Sequence, residues 1–268
     1  MKEIMDLKLK DKVVMITGGA GMKGSIGETI VRKLAEEGAI PIIVDRNTRG
    51  KGYVDELNQK GGDAMFIATD LTQPEQIASA IEAVGEKYGR IDVLINNVGV
   101  NDGAGLEESL EAFMDSLKLN MVSYFLMTKY CLPWLKQSKG NILNIGSKVG
   151  YTGQGGTSGY AASKGGVLAL TREWAVDLIQ YDIRVNCLII SESYTPAYEE
   201  WIKTLEDGEQ KLNSIKDKIP FGNRMTEPVE IANQTLFTIS ELSSHTTGQH
   251  IFVDGGYVHL DRALLPAH

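Results

Sequence analysis

The chain has almost nothing with which to staple or anchor itself. Its 268 residues include two cysteines, Cys131 and Cys187, too far apart for a CxxC redox pair or a metal knuckle, which excludes a disulfide scaffold and a zinc finger. Both thiols are expected to be small buried hydrophobes. No stretch reaches about 18 uninterrupted apolar residues, and residues 1–12 carry charges throughout, so neither a membrane span nor a signal peptide is expected and the chain reads as cytoplasmic. A basic excess is missing too. Against 27 Lys and Arg stand 35 Asp and Glu, a formal net charge of -8, which disfavours nucleic acid as a partner. Histidine does not occur before residue 245, HExxH is absent, and Gly146-Ser147-Lys148-Val149-Gly150 is not a GxSxG elbow. No metal and no Ser-His-Asp hydrolysis is therefore expected. Lys23-Gly24-Ser25 puts lysine before glycine, the wrong order for a triphosphate-binding loop.

Glycine is what the chain has in excess, 29 residues in punctuated clusters without an internal repeat. Between them, short continuous apolar runs alternate with longer amphipathic ones. The runs Val13–Ile16, Ile40–Val44, Ala64–Ala68, Val93–Ile95, Ile142–Ile145, Val185–Ile190 and Ile251–Val253 suit strands covered on both faces. Helical patterns at Ile26–Glu37, Pro74–Tyr88, Leu110–Leu135 and Tyr160–Ile179 are long enough for crossovers. The expected fold is α/β: a doubly wound Rossmann fold with a seven-stranded parallel sheet and helices on both faces. No linker interrupts it, so residues 1–268 read as one domain, with a helical insertion at about 194–219 and a tail from about 258.

Ligands of such a sheet bind beyond the carboxyl ends of its strands, where the winding reverses. The first strand runs into Thr17-Gly18-Gly19-Ala20-Gly21-Met22-Lys23-Gly24-Ser25-Ile26-Gly27 and then into a helix, a turn suited to a pyrophosphate on the helix N-terminus. Asp45 ends the second strand 18 residues after Gly27, where a dinucleotide site places an acid on the adenosine ribose. A 2′-phosphate there meets like charge, roughly 4 kcal/mol at 4 Å and effective dielectric 20, so NAD is favoured. Arg46 alongside offers a guanidinium to offset that repulsion or to stack on adenine, which leaves NADP open. Asp70 and Leu71 follow the third strand, and Asn97, Val98 and Gly99 the fourth. Ser147 ends the fifth. Tyr160 and Lys164 then share one helix face at i and i+4, while Asn120 sits mid-helix, a poor place for asparagine without a task.

With the turn, Asn96-Asn97-Val98-Gly99, Ser147, Tyr160-Ala161-Ala162-Ser163-Lys164 and Val253-Asp254-Gly255-Gly256 together, the chain resembles the short-chain dehydrogenase/reductase family along nearly its whole length. The resemblance implies Tyr160 as general acid/base, Lys164 as its activator and a ribose ligand, Ser147 as donor to the reacting oxygen and Asn120 as holder of a relay water. It adds Ser193 and Thr195 to the cofactor set. The chemistry agrees: a tyrosine near pKa 10 must fall by roughly 3 units to act as a base near neutrality, and one ammonium about 4 Å away supplies about that much. Three departures stand out. The glycine turn is about three residues longer than usual, with Ser25 where a glycine is expected. Val98 replaces alanine, and Ile190-Ser191 replaces Pro-Gly, so the following loop is expected to be more mobile.

Segments outside the shared core, among them Val100-Asn101-Asp102-Gly103, Thr152-Gly153-Gln154-Gly155 and Gly256-Tyr257-Val258-His259, resemble the bacterial L-fucose dehydrogenases of that family. This implies oxidation of a sugar at its anomeric carbon to the lactone. Asn101, Asp102, Lys148, Gln154 and Glu192, all placed after strands, are the candidate sugar ligands beside Ser147 and Tyr160, and Trp201 could cover a sugar face. Two alternatives remain: a carrier-protein ketoreductase, which would dock an acidic carrier on basic residues, and a cofactor-sensing regulator without turnover. A homotetramer is expected through the two long helices, with the tail reaching a neighbouring subunit.

Overall fold

The computed structural model describes residues 6–261. Its seven strands are β1 (Val13–Thr17), β2 (Ile40–Asp45), β3 (Met65–Ala68), β4 (Val93–Asn96), β5 (Asn141–Ser147), β6 (Arg184–Ile190) and β7 (His250–Val253). All pairings are parallel, in the order β3-β2-β1-β4-β5-β6-β7.

The continuous apolar runs are continuous because successive side chains enter opposite layers. Val13 and Met15 pack with α3 (Pro74–Tyr88), α5 (Ser123–Ser138) and α6 (Ser158–Leu178). Val14 and Ile16 pack with α1 (Ile26–Glu36), α2 (Arg49–Gln59) and α9 (Pro228–Ile239). Both cysteines lie in the first of these layers, fully buried and unbridged, as expected. Local signals set the helix ends: Pro74 opens α3, and Gly89 closes it at φ +68, a left-handed conformation that glycine adopts freely. Among the described residues no helix is long and apolar enough to cross a membrane.

The single helix expected over Leu110–Leu135 is instead two. α4 (Leu110–Leu117) ends in a π-helical turn, Lys118–Val122, from which α5 continues to Ser138. Asn120 lies in this turn, its side chain bonded to Val100 across the loop and to the Ser116 carbonyl one turn back, where it competes with the helical backbone. The insertion after β6 holds α7 (Pro196–Lys203) and α8 (Gly208–Lys216). Of the tail, residues 262–268 lie outside the described residues, and with them most of the segment expected to reach a neighbour.

Candidate active site

The winding reverses between β1 and β4, and their carboxyl ends are clamped together there. Thr17 Oγ1 accepts hydrogen bonds from the N–H of Asn97 (2.9 Å) and of Val98 (3.1 Å). The Asn97 amide donates to the carbonyls of Thr17 (2.9 Å) and Gly18 (3.1 Å). Asn97, read from the sequence as a cofactor ligand, thus uses its side-chain protons to brace the glycine turn. Gly18 turns at φ +69, and a Cβ on Gly27 would stand 2.2 Å from the Gly18 carbonyl oxygen, so α1 begins hard against the end of β1. Gly21 is held from outside, its carbonyl accepting from the Tyr53 hydroxyl at 2.8 Å. Ser25 precedes α1, and its buried Oγ has no partner among the described residues. Ile26, the first residue of α1, packs partly into the core beneath it.

Asp45 is half-buried at the end of β2, one oxygen accepting from Ala20 N–H and the other from Asn47 N–H, each at 2.9 Å. Its carboxylate therefore stiffens the turn. Arg46 is exposed next to it. Asp70 accepts from the backbone and hydroxyl of Thr72, and these bonds, with Arg46 nearby, hold its carboxyl below the usual range. Leu71 is a core residue, which leaves only its backbone for a ligand.

The reactive group of side chains gathers beyond β4 and β5. Ser147 ends β5, nearly buried, and its hydroxyl bonds to the Tyr160 phenol at the start of α6. One turn on, Lys164 is buried and donates to the carbonyl of Ile145 (2.7 Å) and to the hydroxyl of Tyr124 (3.1 Å). Its nitrogen stands 5.7 Å from the Tyr160 ring centre. Burial lowers the Lys164 ammonium to about 8. The Tyr160 phenol lies above its ordinary value, because burial outweighs the bond from Ser147 and Asp102 adds negative charge. This corrects the simple electrostatic expectation, because burial of the phenol outweighs what favours its phenolate. Asn120, from the π-helical turn, donates to Val100 O (3.0 Å) and Ser116 O (3.0 Å) and accepts from Val100 N–H (2.8 Å), fixing the loop after β4. Gly99 leaves the approach open: a Cβ there would lie 3.3 Å from Lys164 Nζ and 3.4 Å from Asn120 Oδ1.

A second wall stands beside this group. Lys148 and Glu192, following β5 and β6, form an ion pair that is largely removed from water. The Tyr198 hydroxyl of α7 donates to the other Glu192 oxygen at 3.2 Å, and burial together with that carboxylate pushes the phenol up. Tyr257 completes the wall, its ring 4.4 Å from the Lys148 nitrogen. Asp102 accepts from Ser116 Oγ (3.1 Å) and Ala104 N–H (3.3 Å). Asn101 and Gln154 lie exposed in their loops, outside this network. Trp201 is half-exposed on α7, edge-on to Tyr198. The loop expected to be loosened by Ile190-Ser191 is tied down: Thr226 N–H donates to Glu192 O and Tyr194 N–H to Thr226 O, both at 3.0 Å, and Thr195 Oγ1 caps α7. Ser191 and Ser193 carry buried hydroxyls without partners among the described residues. A hollow of about 810 Å³ opens at the amino-terminal edge of the sheet beside Lys12, Asp92 and Arg184, and none of the site residues described above lines it.

The family profile described as enoyl-(acyl carrier protein) reductase matches residues 19–258. An L-fucose dehydrogenase of Bos taurus is 34% identical over 94% of this chain and 91% of its own length. The chain belongs to the short-chain dehydrogenase/reductase family. Among solved members, the Cj0485 dehydrogenase superposes with a TM-score of 0.93 at 43% identity, covering 98% of this chain and 100% of its own. L-Sorbose reductase from Gluconobacter frateurii, solved with NADPH and L-sorbose, gives 0.90 at 26% identity over 96% and 100%. As a short-chain dehydrogenase/reductase, the protein is an NAD(P)-dependent oxidoreductase. The residues present suit such a group: the glycine turn and the loop after β6 carry three buried hydroxyls, Ser25, Ser191 and Ser193, with no hydrogen-bond partner among the described residues. Sequence reasoning passed over Tyr124, Tyr198 and Tyr257. Tyr124 lies inside the helical pattern Leu110–Leu135 and Tyr198 inside the expected insertion, while Tyr257 lies within Gly256-Tyr257-Val258-His259, a segment that gives it no role of its own.

Proposed function

We propose that this dehydrogenase oxidises L-fucose or a related aldose at the anomeric carbon to the lactone, with NAD preferred. The observation carrying the sugar reading is the Lys148–Glu192 pair with Tyr198, placed next to Ser147 and Tyr160. A buried pair of opposite charges offers donors and an acceptor side by side, as neighbouring sugar hydroxyls require, and it penalises an apolar substrate that leaves the pair unsolvated. The NAD preference rests on the Asp45 carboxylate at the ribose position.

The cofactor would be held by the turn at Gly18, Gly21, Ser25, Ile26 and Gly27, by Asp45 and Arg46, by Asp70 and the Leu71 backbone, by Val98 and Gly99, and by Ser193 and Thr195. When bound, it supplies the hydride-accepting chemistry. Tyr160 would act as its phenolate, favoured by the Lys164 ammonium and by the positive charge of the bound cofactor, and take the proton of the anomeric hydroxyl while Ser147 donates to the same oxygen as charge develops there. Two of the three Lys164 protons are engaged by Ile145 and Tyr124, leaving one for a ribose hydroxyl. Asn120 keeps the floor of the pocket in register.

A carrier-protein reductase is the second reading, favoured by the description of the matching profile. Initial rates of NADH formation with a panel of aldoses, and of NADH or NADPH loss with acyl-carrier thioesters and steroid ketones, separate the two. The sugar reading expects L-fucose or a close aldose to lead by at least about tenfold in kcat/KM, roughly 1.4 kcal/mol in transition-state binding. A thioester that leads by that margin overturns it. We also propose that the enzyme is a homotetramer built on α4, α5 and α6, where Leu110, Met114, Phe125 and Val176 are exposed.

A further inference from the structure

Tyr124 is the largest fully buried side chain among the described residues, and its hydroxyl lies among groups of the reactive cluster. It donates toward the carbonyls of Val98 (2.8 Å) and Ile145 (3.2 Å), and its oxygen accepts from Lys164 Nζ at 3.1 Å. Ile145 O in turn receives Lys164 at 2.7 Å, so phenol, ammonium and carbonyl close a triangle under the catalytic face of α6. Three chain segments meet there: the loop after β4, the end of β5 and the second turn of α6. The Lys164 nitrogen also lies 5.0 Å from the centre of the Tyr124 ring, whose face attracts a cation. Filling the same space would need only phenylalanine. A phenol that far from water is retained at the risk of an orphaned hydroxyl unless its oxygen has work.

We infer that Tyr124 is a positioning residue for catalysis: by accepting a hydrogen bond from Lys164 it keeps the buried ammonium charged and aimed, and so sets the pH at which Tyr160 works. The titratable groups facing Lys164 are few. Tyr160 stands on its own helix, Asp102 acts on Tyr160 from the loop after β4, and Cys187 approaches from β6 with its thiol raised by burial to about 12, hence neutral. No carboxylate pairs with Lys164 among the described residues, which leaves a phenol and a carbonyl to replace its hydration. Tyr124 stays a neutral phenol, since burial pushes it well up. The ammonium itself is charged at neutrality by a narrow margin, so a lost acceptor is felt directly.

The inference rests on Tyr160 and Lys164 as the acid/base pair and not on which sugar is oxidised. Its test is Tyr124→Phe, followed in two ways. Lysine side-chain nitrogen NMR of the substrate-free protein, with Lys164 assigned by Lys164→Met, should show its titration midpoint fall by about one unit, a tenfold change in protonation equilibrium. The rising limb of the kcat/KM pH profile for oxidation should move upward by a similar amount, because Tyr160 loses part of the neighbouring charge that favours its phenolate. A merely structural hydroxyl would instead lower the melting temperature and scale the rate equally at every pH. An unmoved Lys164 midpoint overturns the inference whatever the rates do. A moved midpoint with an unmoved limb overturns the assignment of the acid/base pair and the positioning role with it. Should Tyr124→Phe fail to fold, Tyr124→Met also removes the hydroxyl acceptor while keeping an apolar side chain, and the same two measurements apply.

Discussion

Tyr160 and Lys164 are legible in the sequence because i and i+4 on a helix share a face whatever the tertiary context. Their electrostatics were not, since the orientation of a buried ammonium depends on carbonyls that sequence spacing does not place. Removing the Tyr160 hydroxyl takes away the proton acceptor and leaves the ring. Tyr160→Phe should therefore lower kcat by about a hundredfold or more while cofactor affinity, read by fluorescence titration, changes little; activity within tenfold of wild type would refute the role. Lys164 yields a stability prediction. Its folded value of about 8 lies below the unfolded 10.5, so below pH 8 both states bind the proton and the burial penalty is fully present. As pH rises from 8 to 10.5 the native state has released its proton, the unfolded state still holds it, and the penalty fades. Lys164→Met should accordingly be more stable than wild type at pH 7, by about 1 to 3 kcal/mol, with the advantage shrinking across that window; denaturant unfolding at pH 7 and 10 checks it. Equal stability at both would show that Ile145 and Tyr124 fully replace the lost hydration.

The strands could be read almost to the residue, because a run that must fill two core layers leaves a continuous apolar signature. The break at Lys118–Val122 was hidden, because the Asn120 side chain within it bonds to Val100 across a loop. The oddity of asparagine mid-helix was the visible trace. Lys148 and Glu192 were visible as strand-end residues, but their pairing depends on β5 and β6 being neighbours, a fact of topology. The pair links the strand ends to α7 through Tyr198. Glu192→Gln keeps the shape and removes the charge: KM for the sugar should rise about tenfold or more, with KM for NAD changing less than threefold. Steady-state kinetics with each substrate varied in turn decide it, and equal changes in both would assign the pair to the cofactor.

For the molecule as a whole, α4, α5 and α6 expose apolar side chains, Leu110, Met114, Phe125 and Val176 among them. Phe125 and Leu132 line a hollow of about 400 Å³ with Trp174, Leu178 and Tyr181, roomy enough to receive side chains from another copy. Such a face suits a closed, two-fold contact. Phe125→Glu together with Val176→Glu should lower the sedimenting mass to that of a smaller oligomer, without changing the circular dichroism of the fold. An unchanged tetramer would move the contact elsewhere, and a monomeric wild type would remove it.

The π-helical turn also has a meaning for how this chain tolerates lost residues. A turn of this kind is an α-helix carrying one residue too many, whereas each residue of regular helix advances the face by about 100°. Deleting one residue from α5, for example Lys129, rotates everything beyond it and takes Cys131 and Leu135 out of the core layer they share with Met127. Deleting Leu119 removes the surplus instead, and α4 and α5 keep their phases on either side. The chain thus has one point along 110–138 at which its reading can skip a residue and remain folded, and that point carries Asn120. The Leu119 deletion should melt within a few degrees of wild type and lose activity, while the Lys129 deletion should not fold: two single-residue losses ten positions apart, one removing a function and the other a protein.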